Sequence, residues 1–160
     1  MNSIFIQEIK GVDWKLVSRI GKLEKKNLGS KASINQWVIP VIIRYGKLIV
    51  AQKSKDDSDI IGVCELIRSW KDKYTAFIHS FYIDKEYRKK GIGRKLLGKV
   101  IDILKNDDFK EIELTVDPDN KTASQLYEDF GFKKIILRKN EYGRGVDRDL
   151  TIPSAMELIS

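Results

Sequence analysis

The chain has one cysteine, Cys64, and one histidine, His79. A lone thiol excludes an intrachain disulfide and a cysteine-rich metal site. A lone imidazole removes most zinc constellations, so no metal is expected. Prolines number only three, and no Pro/Gly/Ser-rich linker or repeat divides the 160 residues. One domain, residues 1–160, with a real core is the expectation. Long apolar runs are missing too: none approaches the ~20 residues of a membrane span. The opening "MNSIFIQEIK" lacks the basic-then-apolar order of a secretory signal. These absences point to a cytoplasmic protein with no membrane partner.

Positive charge is what the chain has in excess, with a formal net charge of +7. Lys85, Arg88, Lys89, Lys90, Arg94 and Lys95 crowd around Gly91 and Gly93 in "YRKKGIGRKLL". Such a local cluster suits a small polyanion. A duplex-binding protein would spread its basic face over several elements, so nucleic acid is not the expected partner.

Hydrophobic periodicity orders the rest. Residues 4–9 alternate as a strand, and Asp13 caps an amphipathic helix over 14–26 carrying Leu16, Ile20 and Leu23. Residues 33–44 are ambiguous: Ser33 could cap a helix, but Pro40 would kink it. Strands are expected at 47–52 and 60–67, with a turn at 54–59. Residues 74–83, "YTAFIHSFYI", are apolar on both faces, the mark of a central strand. A helix over 94–105 follows, then a strand at 111–116, a short helix at 121–130 stopped by Gly131, and a strand at 132–138. The tail to Leu158 reads as a last strand, with Pro153 implying an edge or a bulge. The order β-α-α-β-β-β-α-β-α-β-β describes a mixed α/β domain.

The glycine loop precedes a helix, whose N-terminus offers backbone N–H groups and partial positive charge to an anion. A dinucleotide fingerprint would need Gly or Ala at position 96, which is Leu96. A nucleotide triphosphate loop would need Lys then Ser/Thr after Gly93, where Arg94 and Lys95 stand. What remains is Arg-x-x-Gly-x-Gly, either a phosphate cradle or a helix start with a solvated basic face.

Downstream lies "NKTASQLYEDFGF", with Asn120, Ala123, Leu126, Tyr127, Gly131 and Phe132. With the loop, over residues 77–133, it resembles the GCN5-related N-acetyltransferase (GNAT) family. The closing "EYGRGVDRDL…MEL" resembles that family's last hairpin more loosely, and residues 1–60 match in element order alone. Lys89 stands where the family often has Gly.

The resemblance implies a mixed, mostly antiparallel twisted sheet of six to seven strands with about four helices, splayed at the two central strands. It implies acetyl-CoA as acyl donor and a primary amine, on a small molecule or a protein, as acceptor. Backbone of Lys89, Lys90, Gly91, Ile92, Gly93 and Arg94, with Arg88, would hold the pyrophosphate. Backbone at Phe81, Tyr82 and Ile83 would pair with the pantetheine arm as an added strand. Asn120 resembles the family's cofactor-contacting Asn, or is a plain helix cap. Tyr127 stands where the family has its general acid, and a phenol at ~10 matches a departing thiolate. For the base, His79 on the central strand and Glu65 on the preceding one are candidates. Glu65 could equally be a surface carboxylate on a sheet face. A covalent role for Cys64 is disfavoured, because a strand cysteine is usually an apolar filler. The expected mechanism is direct attack in a ternary complex by a monomer or homodimer. A non-catalytic acyl-CoA sensor and a nucleic-acid module are the competing classes.

Overall fold

Asp13 begins the first helix. Its backbone is extended, and its carboxylate accepts from the Lys15 and Leu16 N–H groups at 3.3 and 3.2 Å. Those donors have no partner within the first turn, so the cap satisfies them. The helix ends at Gly29, whose left-handed φ of 77° lets its N–H reach back to the Lys25 carbonyl at 3.1 Å.

The computed structural model describes residues 3–29, 33, 35–55 and 59–153. The elements are β1 (Phe5–Ile9), α1 (Trp14–Leu28), α2 (Ile39–Tyr45), β2 (Lys47–Gln52), β3 (Ile60–Arg68), β4 (Thr75–Ile83), a single 3₁₀ turn (Lys85–Tyr87), α3 (Ile92–Asn106), β5 (Glu111–Val116), α4 (Lys121–Asp129), β6 (Phe132–Arg138) and β7 (Arg148–Pro153). The strand order is β1-β2-β3-β4-β5-β7-β6, one seven-stranded mixed, mostly antiparallel sheet. Element order and fold class are those expected. The chain divides into two compact units, residues 1–67 with 80–100 and residues 68–79 with 101–160.

In the first unit, β1, β2 and β3 pair antiparallel, Glu8 facing Ile49 and Leu48 facing Glu65. Leu16, Val17 and Ile20 of α1 and Ile39, Ile42 and Ile43 of α2 bury against Leu48, Val50, Val63 and Tyr82. Each such side chain contributes roughly 1.5–3 kcal/mol relative to exposure. The opposite face receives α3 through Leu96, which is fully buried. Gly62 permits this close approach: a Cβ there would lie 2.6 Å from Ile83 Cδ1 and 3.5 Å from Leu96 Cδ2. Pro40 does not kink a helix. It sits in the first turn of α2, where its missing N–H costs nothing.

In the second unit, β4 and β5 run parallel, from Thr75 opposite Glu111 to Ile78 opposite Leu114. β5 alternates as expected, with Ile112, Leu114 and Val116 buried. β7 lies between β5 and β6, so the expectation of an edge at Pro153 fails: β6 is the outer strand. Pro153 is the last described residue of β7 and pairs with Phe132 of β6, and the register shift falls on β6 between Lys134 and Ile136. The end of the expected strand, residues 154–160, and the middle of the 54–59 turn lie outside the described residues.

Candidate active site

β4 feeds directly into the glycine loop. Asp84 closes the strand by donating its N–H to the Ile61 carbonyl at 2.8 Å. After the 3₁₀ turn, Arg88 folds back onto the strand end. Its Nε donates to the Ile83 carbonyl at 2.9 Å, and its Nη2 lies 3.5 Å from Asn27 Oδ1. The same Asn27 oxygen accepts from the Lys85 N–H at 2.9 Å, while its amide donates to the Leu23 carbonyl at 2.8 Å. Lys26 pairs with Asp84 and Glu86 at 2.9 and 2.8 Å, and Glu86 and Asp84 hold its ammonium above the usual lysine range. The end of α1 is therefore tied to the strand exit at four residues. Asn27 and Lys26 carried no sequence signal, because their partners lie some 60 positions away.

The loop itself turns through the left-handed region twice, at Lys89 (φ 59°) and Gly91 (φ 73°). Lys89 adopts this at a cost on the order of 1 kcal/mol that glycine would not bear. The Gly91 carbonyl accepts the first helical bond, from the Lys95 N–H at 3.1 Å. A Cβ on Gly91 would meet no atom within 4 Å, so that side of the loop is open. The N–H groups of Ile92 and Gly93 lie in the first turn of α3, ahead of the Lys95 bond that begins the helical ladder. Lys89, Lys90, Arg94 and Lys95 are exposed. The Lys90 ammonium donates to the Glu86 carbonyl at 3.2 Å and stands 5.1 Å from the Tyr87 ring. Open backbone donors at a helix start, surrounded by cations, fit a pyrophosphate.

On β4, Phe81 is half-buried and Tyr82 and Ile83 are buried. His79 is half-buried, and burial holds its imidazole below the ordinary histidine value. It follows Ile78, the last residue of the β4–β5 register. It is therefore neutral at pH 7 and able to accept a proton.

Glu65 is not a surface carboxylate. It is fully buried, and neither of its oxygens has a hydrogen-bond partner. Burial first, then the charge of Glu24, pushes its carboxyl up to about 8. Cys64, on the other face of β3, is buried as well, and its thiol is held protonated by burial and by Glu65. Glu24 was missed, although a signal existed: it continues the apolar stripe of Leu16 and Ile20 at a spacing of four.

In the second unit, Tyr127 is buried on α4 with its ring tilted against Phe132, centroids 5.7 Å apart. Asn120 caps α4, its Oδ1 accepting from the Ala123 N–H at 3.1 Å. The Tyr142 and Thr115 hydroxyls lie 3.0 Å apart, and Arg148 stands over the Tyr142 ring at 5.5 Å. The β6–β7 connection is braced by Asn140, whose Oδ1 accepts from the Gly145 N–H at 2.6 Å and whose N–H reaches Asp147 at 2.9 Å. Among the described residues no group of three or more metal-ligating side chains occurs, and no helix is long and apolar enough to cross a membrane.

A sequence model of the acetyltransferase (GNAT) family matches residues 26–132, which hold the loop, β4, Asn120 and Tyr127. The chain belongs to this family. Among GNAT relatives, N-alpha-acetyltransferase 50 of Danio rerio is 27% identical over 135 residues, covering 78% of this chain and 80% of that protein. N-alpha-acetyltransferase 30 of Xenopus laevis is 35% identical over 85 residues, 53% of this chain. The chain spans 31% of the length of that protein, and 17% of a Mycobacterium leprae protein that is 40% identical over 65 residues. A chain of the NatC complex, solved with Gag peptide and CoA, superposes with a TM-score of 0.79 at 22% identity, covering 94% of this chain and 97% of that one. At this identity the likeness speaks for the fold.

Proposed function

We propose that this chain transfers an acetyl group from acetyl-CoA to the α-amino group of a peptide or protein. The open backbone at Gly91, at the start of α3, carries the donor half of this reading. The N-alpha-acetyltransferase relatives, and the peptide bound in the NatC structure, support the acceptor half.

Acetyl-CoA, when bound, supplies an acyl thioester open to attack by an amine. Backbone N–H groups from Lys89 to Arg94 hold the pyrophosphate, and the exposed Lys and Arg side chains meet the remaining phosphate charge. Arg88 acts differently from a direct phosphate ligand. Through the Ile83 carbonyl and Asn27 it holds the loop at one distance from the strand end. Backbone at Phe81–Ile83 receives the pantetheine arm as an added strand. Asn120 contributes its exposed amide, since its carbonyl oxygen is committed to the helix cap.

The acceptor attacks directly, with no covalent enzyme intermediate, because Cys64 is buried and protonated. His79, neutral at pH 7, takes the proton that the amine sheds. Tyr127 gives its hydroxyl proton to the departing sulfur. Glu65 is sealed from solvent, so it serves the reaction at a distance rather than by contact with the amine. The cytoplasm, where acetyl-CoA and peptide termini meet, is the proposed compartment.

The test is a panel of short peptides with free and blocked N-termini, incubated with acetyl-CoA and read by mass spectrometry with thiol release in parallel. Acetylation confined to free N-termini is expected. Acetylation of lysine side chains on N-terminally blocked peptides would reassign the acceptor. Acetyl-CoA binding without thiol release on any peptide would overturn the peptide reading.

A further inference from the structure

Glu24 enters the layer between α1 and the sheet because it continues the stripe of Leu16 and Ile20. It is fully buried, and so is Glu65 of β3. Ser80 of β4 donates its hydroxyl to Glu24 Oε1 at 3.2 Å. Tyr82, two residues on, sends its hydroxyl to the Ile20 carbonyl at 3.5 Å, so α1 is bonded to β4 at two successive turns. The carboxyl of Glu65 has no hydrogen-bond partner on either oxygen. The other ionisable groups of the cluster are on β4. The Tyr82 hydroxyl is kept protonated by burial and by Glu24, Glu65 and Asp84, and Asp84 is itself paired with Lys26. Two carboxylates in one buried layer cannot both ionise at low cost.

We propose that Glu24 and Glu65 hold one proton between them and, while they hold it, latch α1 onto β3 and β4 at Ser80. One carboxyl keeps the proton while the other is ionised, so the buried layer carries a single negative charge beside the Ser80 bond to Glu24. Losing that proton to solvent leaves two buried anions and loosens the latch. The pair consists of positioning residues: Ser80 follows His79 in the chain, and the same stretch of β4 leads to the loop. The latch stands independently of which amine is acetylated.

The direction of the pH effect follows from linkage. The closed form keeps its Glu65 proton up to about 8, whereas an opened, solvated carboxyl releases it near the ordinary ~4.3. Opening therefore grows as pH rises through this window, about tenfold per pH unit, and levels off above it.

Hydrogen exchange, corrected for intrinsic rates, is measured on α1 and on Ser80–Tyr82 from pH 5 to 9 for the wild type and Glu65→Gln. The wild-type opening constant is expected to climb about tenfold per unit and then level off. Glu65→Gln, which keeps the shape and removes the titration, is expected to be flat. A flat wild type, or a Gln variant that climbs equally, overturns the latch. Should Glu65→Gln fail to fold, infrared spectroscopy of the wild type decides. A buried protonated carboxyl band must be present at pH 7 and lost by pH 9.5; its absence at pH 7 sinks the proposal. Neither readout uses catalysis, so failure here is distinct from failure of the acetyl-transfer reading.

Discussion

Arg88 donates from Nε to the Ile83 carbonyl at 2.9 Å, across five positions of chain. The basic residue that opens the glycine motif thus holds the last residue of β4, and the loop inherits its place from the strand. Replacing Arg88 with Ala removes both this bond and the one to Asn27. We expect acetyl-CoA affinity to fall about tenfold, with the melting temperature within a few degrees of wild type. Lys at this position should not restore it, since a single ammonium lacks the fork that serves both acceptors. Isothermal titration reads the affinity, and an unchanged Kd for the Ala variant would remove the positioning role.

Gly91 takes φ 73° with open space where a Cβ would stand. An added side chain there strains the backbone by roughly 1–2 kcal/mol and fills the cradle's open side. Gly91→Val should weaken acetyl-CoA binding by at least tenfold and Gly91→Ala by less. Lys89→Gly should be tolerated, because glycine accepts the φ of 59° that lysine holds under strain. Wild-type affinity in Gly91→Val would contradict the pyrophosphate assignment.

The Tyr127 ring packs on Phe132, so its removal and the removal of its hydroxyl are separable. Tyr127→Phe keeps the packing and deletes the proton donor. Turnover is expected to fall about 10²–10⁴-fold. Equal turnover in steady-state assays would reject the acid role.

Burial lowers the His79 pKa, and only the neutral ring accepts a proton. The rate should therefore be sustained at neutral pH and be lost as pH falls below the ordinary histidine range. His79→Asn should abolish this acid limb and lower kcat. A pH–rate profile for both proteins checks it; an acid limb that persists in the variant assigns the base elsewhere.

Asn120 carries two readings that one pair of variants separates. Asn120→Ala removes the cap of α4, at a cost of about 1 kcal/mol. Asn120→Asp keeps the cap but replaces the amide. If the amide contacts acetyl-CoA, the Asp variant keeps its melting temperature and loses affinity; equal affinity would leave Asn120 as a cap alone.

Much of the fold was legible because its signals are local. Strict alternation marked β5, and Asp13, Asn120 and Gly131 marked helix ends by their own side chains or lack of one. Misreadings occurred where a residue's meaning depended on strands far along the chain. Pro153 suggested an edge, yet β7 lies inside the sheet, because β6 pairs along its other side and takes the outer place. Pro40 suggested a kink, but the helix begins only at Ile39, so the proline falls where no N–H is needed.

The sequence by itself determined the family and the chemistry on offer. The Arg-x-x-Gly-x-Gly loop and the "LYEDFGF" segment are contiguous, and their backbone needs are written in adjacent residues. Only the tertiary structure decided what the carboxylates and amides do. Glu65 alternates with Cys64 on its strand whether it faces water or a core. It became a buried acid because packing removes it from water, and Glu24, brought in by α1, adds to the effect. Asn27 likewise is an ordinary helix residue until the fold brings Lys85 and Arg88 to its one carbonyl oxygen. Burial and long-range pairing are properties of packed elements, and spacing along a chain encodes them only through the fold.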